Sequence, residues 1–117
     1  SSFSLGPAPR FREMAELVRV AEEIGFDVCW VPDHLVVRFE HEGNALRGVW
    51  EGWTLLAALA ASSRTITLGV LVTCVGWRNP GIVAKMAENL DEITQGRFIL
   101  GLGAGWHEPE YEMFGLP

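Results

Sequence analysis

Cysteine is scarce in this sequence. Its 117 residues carry two, Cys29 and Cys74, each inside an apolar segment. A closely spaced disulfide framework is therefore excluded, and the simplest reading is reduced thiols in a cytoplasmic protein. Positive charge is short as well: 9 Lys and Arg face 15 Asp and Glu, for a formal charge of −6. That argues against nucleic acid as partner, because a phosphate backbone is met by a net basic face. Long apolar runs are missing. Stretches such as Leu55–Ala61 fall far short of the roughly 18–20 residues a membrane helix needs, so no membrane is expected. No basic segment followed by an apolar one opens the sequence, so a secretory leader is not expected either.

What remains is an ordinary globular balance, 49% hydrophobic and 21% charged, enough for one modest domain. Two counts stand out, 13 Gly and 5 Trp. Glycines at that density suggest sharp turns or close approach of backbone to a ligand. The tryptophans suit a cavity wall or an interface, with core packing as the plainer explanation.

The periodicity predicts a helix over 10–24 with Met14, Leu17, Val18, Ala21 and Ile24 on its apolar face, stopped by Gly25. Val28-Cys29-Trp30-Val31 then reads as a short buried parallel strand ended by Pro32. Residues 33–49, polar and mixed, read as a long loop. A helix is expected over about Trp50–Ala61 and a second strand over Thr65–Thr73. Asn79-Pro80 pairs an N-cap with a proline at the first helical position and starts a third helix with the stripe Ile82, Val83, Met86, Leu90 and Ile93, closed by Gly96. Phe98–Leu102 is the third strand, Glu108-Pro109 opens another short helix, and Phe3-Ser4-Leu5 suggests the remnant of a fourth strand. Helices alternating with strands at this spacing imply an α/β fold with parallel strands. Three or four such strands make a poor complete sheet, so the chain reads as part of a larger protein.

The reactive-looking groups fall just past the strand ends, where parallel α/β folds bind ligands. Asp33-His34 follow the first strand, Thr73-Cys74 the second, and Gly103-Ala104-Gly105-Trp106-His107 the third. Asp33-His34 suits a proton-handling or cofactor-contacting pair; the alternative is that Asp33 caps a turn and His34 fills a polar pocket. The glycine run departs from a dinucleotide fingerprint, because Trp106-His107-Glu108-Pro109 interrupts it. Arg78 beside the Asn79-Pro80 helix start reads either as an anion contact or as a solvated arginine. Cys74 reads more readily as an inert buried thiol than as a reactive one. The histidines His34, His41 and His107 match no compact metal-ligand spacing, so no metal is assigned.

Three blocks carry a family resemblance: Gly25 through His34; Leu68 through Lys85 with Trp77-Arg78-Asn79-Pro80; and Leu90 through Trp106, extended by Glu108-Pro109-Glu110-Tyr111 and Phe114-Gly115. In this order they resemble the bacterial-luciferase-like oxidoreductases, the luciferase-like monooxygenase family. The resemblance implies a partial (β/α)8 TIM barrel, roughly its first half, with residues 1–117 the N-terminal portion of a single domain incomplete on its C-terminal side. It implies reduced FMN or a deazaflavin coenzyme of the F-420 type at the barrel mouth, and monooxygenation or hydride transfer on a small organic substrate. His34 matches the family's catalytic histidine. Asp33, Leu71, Val72, Thr73, Cys74, Gly103, Ala104 and Gly105 match cofactor-binding positions, Leu71-Val72 at the site of a non-prolyl cis peptide. Asp33 is expected to orient His34 or contact the cofactor, with Trp30, Trp77 and Trp106 as candidate walls of the substrate pocket.

Trp106 stands where some deazaflavin-dependent relatives carry an acid, and Glu51 within Trp50-Glu51-Gly52-Trp53 resembles a motif of the deazaflavin branch. The family's phosphate-binding loops lie mostly in its second half, so these 117 residues alone are expected to have little or no activity. Members often dimerise, and a homodimer is among the assemblies the resemblance allows. Two alternatives stand beside this reading: a non-catalytic half-barrel that works as an association module, and a metal-dependent hydrolase on the same barrel using His34 and Asp33 as ligands.

Overall fold

A computed structural model describes residues 9–40 and 43–117. Phe3-Ser4-Leu5 and His41 lie outside them. The elements run α1 (Phe11–Glu23), β1 (Val28–Val31), β2 (Val36–Arg38), β3 (Leu46–Gly48), α2 (Gly52–Ser62), β4 (Thr67–Cys74), α3 (Pro80–Thr94), β5 (Phe98–Gly103) and α4 (Glu108–Phe114). Strands β1, β4 and β5 form one parallel sheet in the order β1-β4-β5. The segment read as a long loop holds a short antiparallel hairpin instead, β2 against β3, with Val36 opposite Gly48. Strands of three residues offer too little alternation to register as strands in a polar setting.

Helix α2 is apolar nearly all round because it is sandwiched. Trp53, Leu55, Leu56, Leu59 and Ala60 are buried between the sheet and the flanking α1 and α3. It begins where Glu51 accepts hydrogen bonds from the amides of Trp53 (3.2 Å) and Thr54 (2.7 Å), an N-cap that satisfies otherwise orphaned donors. Helix α3 starts as its sequence dictates, with Asn79 Oδ1 accepting from the Gly81 amide at 2.8 Å and Pro80 in the first turn. It ends on Gln95 and Gly96, both left-handed.

The apolar stripes sit slightly off their expected positions. On α1 it is Val18, with Phe11, Met14, Ala15 and Ala21, that meets the core, while Leu17 and Ile24 are exposed. On α3 Val83, Met86 and Leu90 face inward, and Ile82 and Ile93 do not. A wide apolar face borders the contact on both sides, and only its centre is covered. Across the sheet, Cys29, Val31, Leu68, Val70 and Phe98 join this core. The opposite face presents Trp30, Leu71, Val72 and Ile99, all exposed. No helix among the described residues is long and apolar enough to cross a membrane.

Candidate active site

Parallel strands aim their C-terminal ends the same way, and the ends of β1, β4 and β5 open on one cavity of about 360 Å³. Its wall includes Asp33 and His34 after β1; Leu71, Val72 and Cys74 of β4; and Gly103, Ala104 and Gly105 at the end of β5. Eight of the nine residues singled out in sequence therefore meet there. Thr73 does not. The β4–β5 register shifts between Val70 and Thr73, leaving Leu71 and Val72 both exposed. Beyond the shift, neighbours alternate faces again: Cys74 lines the cavity, while Thr73 is fully buried with its hydroxyl lacking a protein partner. The Leu71–Val72 peptide is cis, at the position where the resemblance implies one.

Two glycines keep this wall close. A methyl group on Gly103 would run into the Val72 side chain, and one on Gly105 into the Tyr111 hydroxyl and the Cys74 sulfur. Gly105 also has φ +84°, a conformation that disfavours side chains. Of the three expected tryptophan walls, Trp77 and Trp106 line the cavity. Trp30 instead lies over Gly69 in the middle of the sheet.

Asp33 does not bond His34. Its side chain is fully buried and accepts two hydrogen bonds from Arg78, at 2.6 and 2.8 Å, and one from the Cys74 amide at 2.9 Å. Arg78 also reaches Glu51 at 3.0 Å. Arg78 is thus neither solvated nor an anion contact; it ties the ends of β1 and β4 to the start of α2. Burial works against its charge, but Asp33 and Glu51 outweigh burial and hold the guanidinium above its ordinary range. Glu51 is likewise penalised by burial, yet its hydrogen bonds to Thr54 and Trp53 and its proximity to Arg78 leave it below the usual carboxylate range. Asp33 neither orients His34 nor is available as a metal ligand, which removes the hydrolase built on that pair.

The acid that does hold His34 is Glu110, in the first turn of α4. His34 Nδ1 lies 3.1 Å from Glu110 Oε2, while Oε1 accepts from the amides of Leu35 (2.5 Å) and Val36 (3.0 Å). Glu110 is fully buried. Sequence inspection missed it, because an acid in the first turn of a short helix ordinarily faces solvent. Its place within the Glu108-Pro109-Glu110-Tyr111 block was the available signal. His107 packs edge-on to His34, ring centroids 5.8 Å apart, and Trp106 packs likewise at 6.0 Å. One potential ligand atom each of His34, His107 and Glu110 falls within 4.8 Å of the others. The carboxylate of Glu110 is engaged by two amides and faces the His34 imidazole, against which His107 packs its ring. Next to Glu110 in α4, the Tyr111 hydroxyl lies 3.0 Å from Cys74 Sγ. That bond, with burial adding to it, raises the phenol above its ordinary range.

An apolar wall with a few convergent polar groups is the usual composition of a small-molecule site. Comparison with known proteins gives it a context. The family model described as luciferase-like monooxygenase matches residues 2–117. A phthiodiolone/phenolphthiodiolone dimycocerosates ketoreductase of Mycobacterium sp. (strain JLS) is 37% identical over 119 residues, covering 86% of this chain and 31% of its own length. The pyrimidine monooxygenase RutA of Pseudomonas savastanoi pv. phaseolicola is 35% identical over 112 residues, covering 92% of this chain and 29% of its own. Among solved structures, the coenzyme F420 dependent tetrahydromethanopterin reductase from Methanopyrus kandleri superposes with a TM-score of 0.72 at 29% identity, over 100% of this chain and 31% of that one. At the level of fold alone, the oxygenating constituent of 3,6-diketocamphane monooxygenase from Pseudomonas putida, in complex with FMN, superposes with a TM-score of 0.73 at 22% identity, over 97% of this chain and 30% of that one. The chain spans about 30% of the length of these relatives. It belongs to the luciferase-like monooxygenase family.

Proposed function

We propose that this chain, as a member of the luciferase-like monooxygenase family, supplies the ring-facing part of an oxidoreductase site for reduced FMN or a deazaflavin coenzyme, within a single barrel domain of which it is the N-terminal portion. The observation that carries the reading is the meeting of His34, the exposed Leu71-Val72 pair and the Gly103–Gly105 turn on one cavity at the strand ends. The fit is chemical: a flat, largely apolar ring system has Leu71, Val72 and Trp106 to cover, and His34 as a titratable group beside them. The coenzyme, when bound, supplies the hydride or oxygen chemistry.

The chain's residues bind and position. Leu71 and Val72 offer apolar contact to one side of the ring, the Gly103–Gly105 backbone permits close approach, and His34 holds or moves a proton at its free imidazole nitrogen. Asp33 contributes indirectly, by fixing the end of β1 through Arg78 and the Cys74 amide. A small organic substrate then occupies the remaining space beside Trp106. By their names, the relatives act on phthiodiolone and phenolphthiodiolone dimycocerosates, a pyrimidine and tetrahydromethanopterin.

Equilibrium titration of the full-length protein with reduced FMN and with the reduced deazaflavin, followed by turnover of His34→Ala, tests it. One of the two coenzymes binds, and the variant folds but loses about 10²- to 10⁴-fold in turnover, the usual share of a positioned acid–base group. Binding of neither coenzyme, or unchanged turnover, contradicts the assignment. The exposed Trp30 and Ile99 face favours a second reading, a non-catalytic association module, which binding of neither coenzyme would support.

A further inference from the structure

We infer that Glu110 is a positioning residue that locks His34 in the tautomer carrying its proton on Nδ1, so that neutral His34 presents Nε2 to the cavity as a proton acceptor. Nothing in the resemblance assigns Glu110 a role, and the pairing joins residues 76 apart in sequence.

The count of donors and acceptors around Glu110 fixes the tautomer. An ionised carboxylate only accepts. Glu110 Oε1 already accepts from two backbone amides, Leu35 at 2.5 Å and Val36 at 3.0 Å, which orient the group and leave Oε2 directed at the imidazole. Oε2 lies 3.1 Å from His34 Nδ1, so Nδ1 is the donor of that bond. In a neutral imidazole only one nitrogen bears hydrogen; with the proton held on Nδ1, Nε2 keeps its lone pair. Among the described residues Nε2 has no protein partner, and His34 lines the cavity. The proton balance is then simple. Nε2 takes one proton from a group in the cavity and later returns it from the same atom, while the Nδ1 proton stays on the Glu110 bond. The hairpin β2–β3 gains a purpose here, since Val36 at its start delivers one of the two amides that fix the carboxylate.

The near-isosteric Glu110→Gln should invert this arrangement. Its carbonyl oxygen must stay toward the Leu35 and Val36 amides, because an NH2 there would oppose donor to donor. The NH2 then falls on His34 Nδ1 and demands a lone pair, which moves the ring proton to Nε2. Nitrogen-15 NMR of selectively histidine-labelled protein, without coenzyme and at mildly alkaline pH, reads the tautomer directly. Wild type is expected to show a pyrrole-type Nδ1 and a pyridine-type Nε2, and Glu110→Gln the two signatures interchanged. A pyridine-type Nδ1 in the wild type overturns the inference even if the variant fails to fold, and an unchanged tautomer in a folded variant overturns it as well. The catalytic consequence rests on the oxidoreductase reading, but the NMR signature does not. A correct tautomer with coenzyme binding absent would remove that reading and leave this one standing.

Discussion

Asp33 and Glu110 are two buried acids on the wall of one cavity, and their partners divide the labour between them. Asp33 spends its oxygens on Arg78 and the Cys74 amide; Glu110 spends one on backbone and directs the other at His34. Position next to a strand end was legible in sequence for Asp33 and His34, because it depends only on where Val28–Val31 stops. Partnership was not, because Arg78 is 45 residues from Asp33 and Glu110 is 76 from His34. Removing the charge at Asp33 should be costly, since it strips the half-buried Arg78 guanidinium of its fully buried bidentate partner. Asp33→Asn is expected to lower unfolding free energy by about 3–5 kcal/mol, the range for breaking a buried pair from one side. Urea denaturation at neutral pH measures this, and a loss under about 1 kcal/mol would mean Glu51 alone can hold Arg78.

Among the elements, α1 is fastened at its C-terminal end by one side chain. Glu22 Oε1 accepts from the amides of Arg64 (2.7 Å), Thr65 (2.7 Å) and Ile66 (2.9 Å), just ahead of β4. Burial opposes its charge, but the three amides win and hold the carboxyl below its ordinary range. A depressed folded-state value contributes stability that is fully present above the ordinary carboxylate pKa of about 4.3 and is lost as pH falls through the lowered value. Glu22→Gln retains an acceptor oxygen without the titration, so its urea midpoint should fall less between neutral and acid pH than that of the wild type. Equal slopes would show that Glu22 does not carry this dependence. Most element types were legible, because caps and breakers act locally: Asn79-Pro80 starts α3 and Gln95-Gly96 ends it. The β2–β3 hairpin and the exposure of Leu17, Ile24, Ile82 and Ile93 were not. Both depend on what lies across from the segment, which periodicity cannot report.

The molecule as a whole is a slab, 39 × 33 × 21 Å, with a radius of gyration of 14.9 Å. A compact chain of this length would measure about 13.4 Å. The excess comes from layering: helices cover one face of the parallel sheet, and Trp30, Leu71, Val72 and Ile99 remain bare on the other, whereas parallel sheets are ordinarily covered on both. The shared direction of the strand ends followed from the alternation of helices and strands; the strand order β1-β4-β5 and the uncovered face did not, because both depend on which segments meet across the sheet. In the proposed function, coenzyme sits where those strand ends converge. Hydrogen–deuterium exchange of the full-length protein, with and without saturating reduced FMN or deazaflavin, tests it most directly. New protection is expected in peptides spanning residues 71–77 and 101–111 and none at 62–66, ahead of β4 at the opposite end of the strands. Protection confined to 62–66, or absent from both strand-end segments while coenzyme is bound, would contradict it.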